Sequence, residues 1–369
     1  MTKIGMRNAW FQVHKWIGLI LAIVIIPICL TGSALVWDGA VDRMVNPARF
    51  ATTGAQTLPL SAYVDAARAK LGPDTAIASL RLPEDDGAPV IVAAAMPGVV
   101  AKGGPPARTN VYLDPPTAKV LDTADSRSGL LRVMHVLHGS LMLPGVGRSI
   151  VGWIGVAMLI SSISGIWLWW PTVGKWVRGL RWRRHRNLDT NLHHMMGFWI
   201  ALPLFVLSLT GAWISFPAFF GGLVGEGQRA GAPRGPDRAA LARAKPVAAP
   251  MTPLDTAVRQ AERLSPGEVR QVTWPTDLKP EWGVNIAGKT IAVTDADGVA
   301  TLPKGPERAQ GGIARTMRSL HDGSGMGIVW QVVIFLGGLL PAILAVTGVI
   351  MWWRARGWKA QLKAKRAGV

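Results

Sequence analysis

Four stretches of this chain, residues 16–37, 149–170, 195–217 and 326–353, are predominantly apolar and free of charged residues for long enough to fix the fold class. An α-helix rises about 1.5 Å per residue, so each can cross the roughly 30 Å hydrocarbon core of a bilayer. A backbone in hydrocarbon must satisfy its own N–H and C=O groups, and a helix does so within one segment. The chain reads as an α-helical integral membrane protein with four transmembrane helices in a lipid bilayer. Composition agrees: 49% of the 369 residues are hydrophobic and the mean hydropathy is +0.26, high for a water-soluble protein.

Charge sets the direction of the spans. Lys3, Arg7 and Lys15 precede the first; Lys175, Arg178, Arg181, Arg183, Arg184 and Arg186 separate the second from the third; Arg354, Arg356, Lys359, Lys363, Lys365 and Arg366 follow the fourth. Such flanks stay on the cytoplasmic side, so both termini are expected there. Much of the net charge of +18 sits on these short flanks, where orientation and anionic lipid account for it, and no nucleic-acid partner is expected. The first span is too long for a signal-peptide core, and SALVWDGAVDRM offers no small-residue cleavage site, so it reads as a retained anchor. The single cysteine, Cys29, lies inside it, which leaves the outside loops no disulfide and the chain no thiolate metal site. The tryptophans of WLWWP and MWWRARGW sit at span ends, as interfacial anchors do.

The expected order is a cytoplasmic start and first span (1–37), an outside domain (38–130), a histidine-bearing segment and second span (131–170), and a basic cytoplasmic loop (171–192). The third span (193–217), a second outside domain (218–312), a histidine-bearing segment with the fourth span (313–353) and a basic tail (354–369) follow. In the first outside domain LPLSAYVDAARAKLG has helical spacing, and IASLRL, PVIVAAA and TNVYLD read as strands. In the second, MTPLDTAVRQAERLS is the helix and EVRQVTW, EWGVNIA and TIAVTD the strands. Each loop thus predicts one helix on a three-stranded sheet, with a turn after Asp114 and after Asp295 and a flexible linker in GEGQRAGAPRGPDR.

The chain repeats itself. His14 stands 18 residues before Gly32 and His193 stands 18 before Gly211, with Gly18 and Gly197 each four after the histidine. His138 stands 27 residues before Gly165, and His321 stands 27 before Gly348. The offset between copies is 179 at His14, 181 at Asp114 and 183 at His138, so the spans form two parallel repeats. Each unit crosses twice, so the copies share an orientation and a pseudo-two-fold axis along the membrane normal. His14 and His193 then lie at one depth near the cytoplasmic face, and His138 and His321 at one depth near the outside face.

Two histidines facing each other across such an axis are the number and chemistry that bis-His haem ligation needs, and the symmetry supplies the pair twice. Without CxxCH, any haem is non-covalent, and the glycines let helices close on a flat macrocycle. The plain alternatives are interfacial histidines bonded to backbone or lipid, and glycines that serve helix packing alone. His135 lies one turn before His138 but corresponds to Arg318, and is open as a substitute ligand or a propionate contact. His194 corresponds to Lys15 and would suit a propionate or a lipid phosphate. His185 reads as part of the solvated basic loop. Arg148, matched by Gln331, is open as a propionate partner, a lipid contact or a snorkelling side chain. No nucleophile elbow, phosphate loop, dinucleotide fingerprint or HExxH occurs, and DADG at 295–298 lacks the Glu of a calcium loop and reads as a hairpin turn.

The phrases HKWIGL with LTG, LHGSLMLPGVGRSIVGWIG with SGIWLWWP, LHHMMGFW with LTG, and LHDGSG with TGVIMWWR resemble the PepSY-associated transmembrane-helix family, and the outside loops resemble PepSY domains. The resemblance implies a bacterial inner-membrane protein with small α+β PepSY-like domains in the periplasm. Members tied to iron uptake are similar to a di-haem ferric-siderophore reductase. Carried over, it places haem-iron ligands at His14 and His193 on the cytoplasmic side and at His138 and His321 on the periplasmic side, holding two haem b. Val13 replaces the family's Leu before the first histidine, and Gly147-Arg148 has no counterpart in the fourth phrase. Pro144-Gly145 and the Gly323–Gly327 stretch separate the outer histidines from the apolar runs, which implies a tilted or broken helix near the interface. The implied substrate is ferric siderophore, reduced to release Fe(II), with an external donor, a quinol or a cytoplasmic reductase. The competing reading is a non-redox PepSY-type interaction or peptidase-regulating membrane protein.

Overall fold

The computed structural model describes residues 2–85, 87–96, 106–170, 180–182, 185–225, 240, 244–302 and 312–366. Lys175, Arg178, Arg183 and Arg184 of the basic loop, and all of the GEGQRAGAPRGPDR linker except Gly225, lie outside those residues. The helices are α1 (Lys3–Leu35), α2 (Asp38–Val45), α3 (Leu60–Leu71), α4 (Leu130–Ser140), α5 (Gly147–Trp169), α6 (Leu188–Ser215), α7 (Pro217–Leu223), α8 (Leu254–Leu264), α9 (Ile313–Asp322) and α10 (Gly327–Arg366). The strands are β1 (Ile77–Arg81), β2 (Val90–Ala95), β3 (Arg108–Leu113), β4 (Val120–Asp125), β5 (Val269–Thr273), β6 (Glu281–Ile286), β7 (Lys289–Thr294) and β8 (Ala300–Thr301). Two compact units result, one from residues 1–38, 133–230 and 310–369, the other from 39–132 and 231–309.

Among the described residues, the first unit contains four helices long and apolar enough to cross a membrane, α1, α5, α6 and α10. Three overrun the predicted spans at the end that carries both termini, so His14 and His193 fall inside helices. Polar caps explain the overrun. Thr2 Oγ1 accepts the Gly5 N–H at 3.1 Å to start α1. In the first turn of α6, Asp189 takes two 2.7 Å bonds from the Arg354 guanidinium on α10, which also reaches Thr190 Oγ1.

Small residues set two helix crossings. A Cβ on Gly338 of α10 would meet Ser33 Oγ of α1 at 2.2 Å, and one on Gly155 of α5 would meet the Ser208 carbonyl of α6 at 3.2 Å. With no side chain the backbones approach closely, the usual solution where lipid supplies no hydrophobic drive. Before α5 and α10 the chain breaks. Leu141, Met142 and Gly145 take positive φ between α4 and α5, and Gly323, Gly325 and Gly327 do so between α9 and α10, so the short helices that carry His138 and His321 point independently of the long ones.

The second unit departs from expectation. The outside loops do not form separate three-stranded domains; each contributes four strands to one antiparallel sheet in the order β4-β3-β2-β1-β5-β6-β7-β8. Its centre is the β1–β5 pairing, Ser79↔Thr273, Leu80↔Val272 and Arg81↔Gln271. Two separate sheets would each expose β1 or β5 as an unpaired edge, and a few strands under one helix are marginal alone. Joined, they share one core: Val90, Val92 and Ala94 of β2 and Trp282, Val284 and Ile286 of β6 point to one face, covered by Tyr63 and Ala67 of α3 and Ala257 and Ala261 of α8.

Buried Asp114 and Asp295 tie this core to the segments leading into its helices. Asp114 accepts the Thr53 N–H and hydroxyl at 2.7 Å and the Thr117 hydroxyl at 2.5 Å. Asp295 accepts the Met251 and Thr252 amides at 3.1 Å. Burial works to raise the Asp114 pKa, but the hydrogen bonds from Thr117 and Thr53 outweigh it and hold the carboxyl below its ordinary value. A depressed folded-state pKa means that the stabilisation is complete above the ordinary carboxylate range and is lost as pH falls through the folded value. Asp114→Asn is expected to cost the second unit about 1–3 kcal/mol, read as faster amide exchange at Thr53 and across β3 and β4 with α6 unaffected. The gap to the parent protein should close as pH drops.

Candidate functional site: two histidine pairs

Four histidines enter the first unit from four different helices, and each ring lies on a glycine of a neighbouring helix. A Cβ added at Gly165 would lie 3.2 Å from Cε1 of His14, at Gly348 3.4 Å from that of His193, at Gly32 2.6 Å from that of His138, and at Gly211 3.1 Å from that of His321. At Gly32 a Cβ would overlap the ring outright, at Gly211 and Gly165 the fit would be tight, and at Gly348 it would be an ordinary contact. In each case the residue before the glycine carries a hydroxyl: Ser164, Thr347, Thr31 and Thr210.

The Nδ1 atoms are anchored alongside. His14 Nδ1 is 3.1 Å from the Ser161 carbonyl and 3.1 Å from Ser164 Oγ; His138 Nδ1 is 2.9 Å from the Ile28 carbonyl; His321 Nδ1 is 3.2 Å from the Leu207 carbonyl and 3.0 Å from Thr210 Oγ1. A carbonyl can only accept, so Nδ1 carries the proton in these three. His193 Nδ1 lies 3.0 Å from Thr347 Oγ1, whose own hydrogen goes to the Ile343 or Leu344 carbonyl at 3.0 Å, so this ring also donates. All four rings are held as the tautomer whose Nε2 keeps a free lone pair, the state a metal ligand needs.

The structure brings the predicted residues together in pairs. The His14 and His193 rings are 6.4 Å apart between centroids at an interplanar angle of 89°, and those of His138 and His321 are 6.0 Å apart at 41°. Among the described residues no three His, Cys, Asp or Glu side chains converge, so each site offers two imidazoles. A cavity opens beside the first pair, lined by Gly18, Gly197, Phe198, Leu204, Leu344 and Met351 among others. For Gly18 and Gly197 the plain alternative of helix packing does not hold: a Cβ there would meet nothing within 4 Å, and both border the cavity one turn from the histidines.

The remaining candidates fall elsewhere. His135 is exposed on α4, one turn before His138. His194 stacks on His185 at 4.9 Å and 28°, and the Asn191 side chain bonds the His185 N–H and carbonyl at 2.8 and 2.7 Å; His185 is therefore docked on α6 rather than part of a purely solvated loop. Arg148 donates to the Ile214 carbonyl in the last turn of α6, supplying a partner that a helix terminus lacks. Its counterpart Gln331 accepts the Trp37 indole N–H at 3.3 Å.

Sequence reasoning missed the anchors Ser164, Thr210 and Thr347. The signal was present: Ser-Gly or Thr-Gly recurs in all four phrases that carry the repeat. Ring clearance ranks the glycines. Gly32→Ala gains about 0.5–1 kcal/mol of helix propensity but overlaps His138, which costs about 1–3 kcal/mol. It should lower the melting temperature of the solubilised protein, whereas Gly348→Ala, at ordinary contact distance, should not; equal melting of the two would show that the Gly32 contact is not tight.

These positions fall within one sequence family, described as the PepSY-associated TM region, which matches residues 11–355 and so includes all four paired histidines. No curated protein matches the chain. With nearly its whole length covered, the chain belongs to the PepSY-associated transmembrane family.

Proposed function

We propose that the protein is an inner-membrane oxidoreductase that passes electrons across the bilayer by way of two b-type haems and reduces ferric siderophore in the periplasm, releasing Fe(II). The paired, Nδ1-anchored histidines carry this reading. With a metal–imidazole bond of about 2.0 Å and a ring centroid about 1.2 Å from its nitrogen, two rings holding one metal would need centroids about 6.4 Å apart. The separations are 6.4 and 6.0 Å. Two imidazoles without a third protein donor would suit a macrocycle that brings its own donors and would hold a bare cation poorly. Haem, when bound, supplies a one-electron carrier at each site.

The chain's residues do the rest. His14 and His193 would hold the group at the end bearing both termini, and His138 and His321 the group at the opposite end. Ser164, Thr347, Thr210 and the carbonyls of Ser161, Ile28 and Leu207 fix ring orientation and raise ligand basicity. Gly18 and Gly197 leave room for a flat ring, and Phe198, Leu204 and Met351 keep it dry. The basic flanks support cytoplasmic termini and periplasmic loops, with a quinol or a cytoplasmic reductase as donor. Reduction frees the metal because siderophores hold Fe(III) through hard oxygen donors that bind the softer Fe(II) weakly.

Protein purified from haem-replete cells is expected to be pink, with a sharp Soret band that shifts on dithionite and about two haems per chain. His138→Ala or His321→Ala should remove one. Gly18→Leu combined with Gly197→Leu should remove the other while gel filtration stays normal. A colourless, folded protein would reject the reading and leave a non-redox PepSY-type interaction role.

A further inference from the structure

We propose that α4 and α9 hold a cationic cradle for an anionic ferric chelate, of the carboxylate or catecholate class, beside the His138–His321 pair. This names the substrate class of the proposed reductase and rests on that reading. On α9, Arg318 stands three residues before His321, and on α4 His135 stands three before His138, so each pair shares a helix face, with Arg315 three residues before Arg318 and about 60° further round. At about 1.5 Å per residue, Arg318 and His135 stand about 4.5 Å along the axis from the paired histidines and Arg315 about 9 Å. Because the His138 and His321 rings lie 6.0 Å apart, the two faces border one gap.

All three cradle residues are exposed, and among the described residues neither Arg315 nor Arg318 makes an ion pair. The one acid of α9, Asp322, whose carboxylate accepts the Ser324 N–H at 2.9 Å, stands against Arg315 and Arg318, so the local balance is positive. In the orientation proposed above this is the periplasmic end, where Lys and Arg run against the usual bias, so cytoplasmic-leaflet lipid does not account for them. Guanidinium forks match carboxylate and catecholate oxygens, and a concentrated positive field raises the encounter rate with an anionic chelate over a neutral or cationic hydroxamate.

Redox-inert gallium(III) chelates test this without electron transfer. Calorimetry on the full-length protein in zwitterionic nanodiscs should show gallium citrate binding about tenfold tighter than a gallium trihydroxamate, with the preference shrinking as salt rises. Arg315→Glu combined with Arg318→Glu should abolish the preference and leave trihydroxamate binding and haem content unchanged. Equal affinities for the two chelates would overturn the proposal. So would a variant that loses haem or anionic-lipid affinity in place of citrate affinity, since the arginines would then serve propionates or headgroups. A protein that prefers citrate but carries no haem would sink the reductase reading alone.

Discussion

An imidazole inside a membrane bundle has two nitrogens to satisfy and no bulk water to satisfy them, and the helical unit is organised around that demand. Each ring answers it by lying on a glycine and donating Nδ1–H to the hydroxyl or carbonyl beside that glycine. The contact fixes how closely two helices approach and at what register, because a glycine one turn away offers no matching acceptor. It also explains the broken helices. His138 and His321 reach Gly32 and Gly211 from short helices released by left-handed residues, where a continuous α4–α5 or α9–α10 rod would direct them otherwise.

Support and pairing run along different lines. His14 rests on α5, His193 on α10, His138 on α1 and His321 on α6, so every ring is held within its own half of the chain. Yet each pair joins one histidine from each half. Ring orientation is therefore a local property, and pair distance depends on how the halves dock, through the Gly338–Ser33 and Gly155–Ser208 crossings. Both pairs answer to the same crossings, so a shift there moves both at once.

How much was legible in the sequence follows from the range of each interaction. The spans and the four histidines were legible because hydropathy and the 18- and 27-residue spacings are local or exactly repeated. The hydroxyl anchors were not, since Ser or Thr before Gly is also what plain helix packing uses. Gly18 and Gly32 look alike in sequence, although a Cβ on one would meet open space and on the other would lie 2.6 Å from a ring; only the neighbouring helix separates them. The fused sheet was hidden for the same reason. Strand β1 reads the same whether its edge meets water or β5, and Ser79 pairs with Thr273 far along the chain.

Near-identical phrases also give chemically unequal sites. His138 donates to a backbone carbonyl and lies on the tightest glycine, while Thr31 turns its hydroxyl into its own helix at 2.6 Å. His321 shares its proton between the Thr210 hydroxyl and a carbonyl. In the other pair, His14 has a carbonyl and Ser164, and His193 has the Thr347 hydroxyl with the Leu344 backbone beside it. Stronger acceptors make the ring a more basic ligand and favour the oxidised metal. Under the proposed function, such differences in ligand basicity would set the two sites at different potentials.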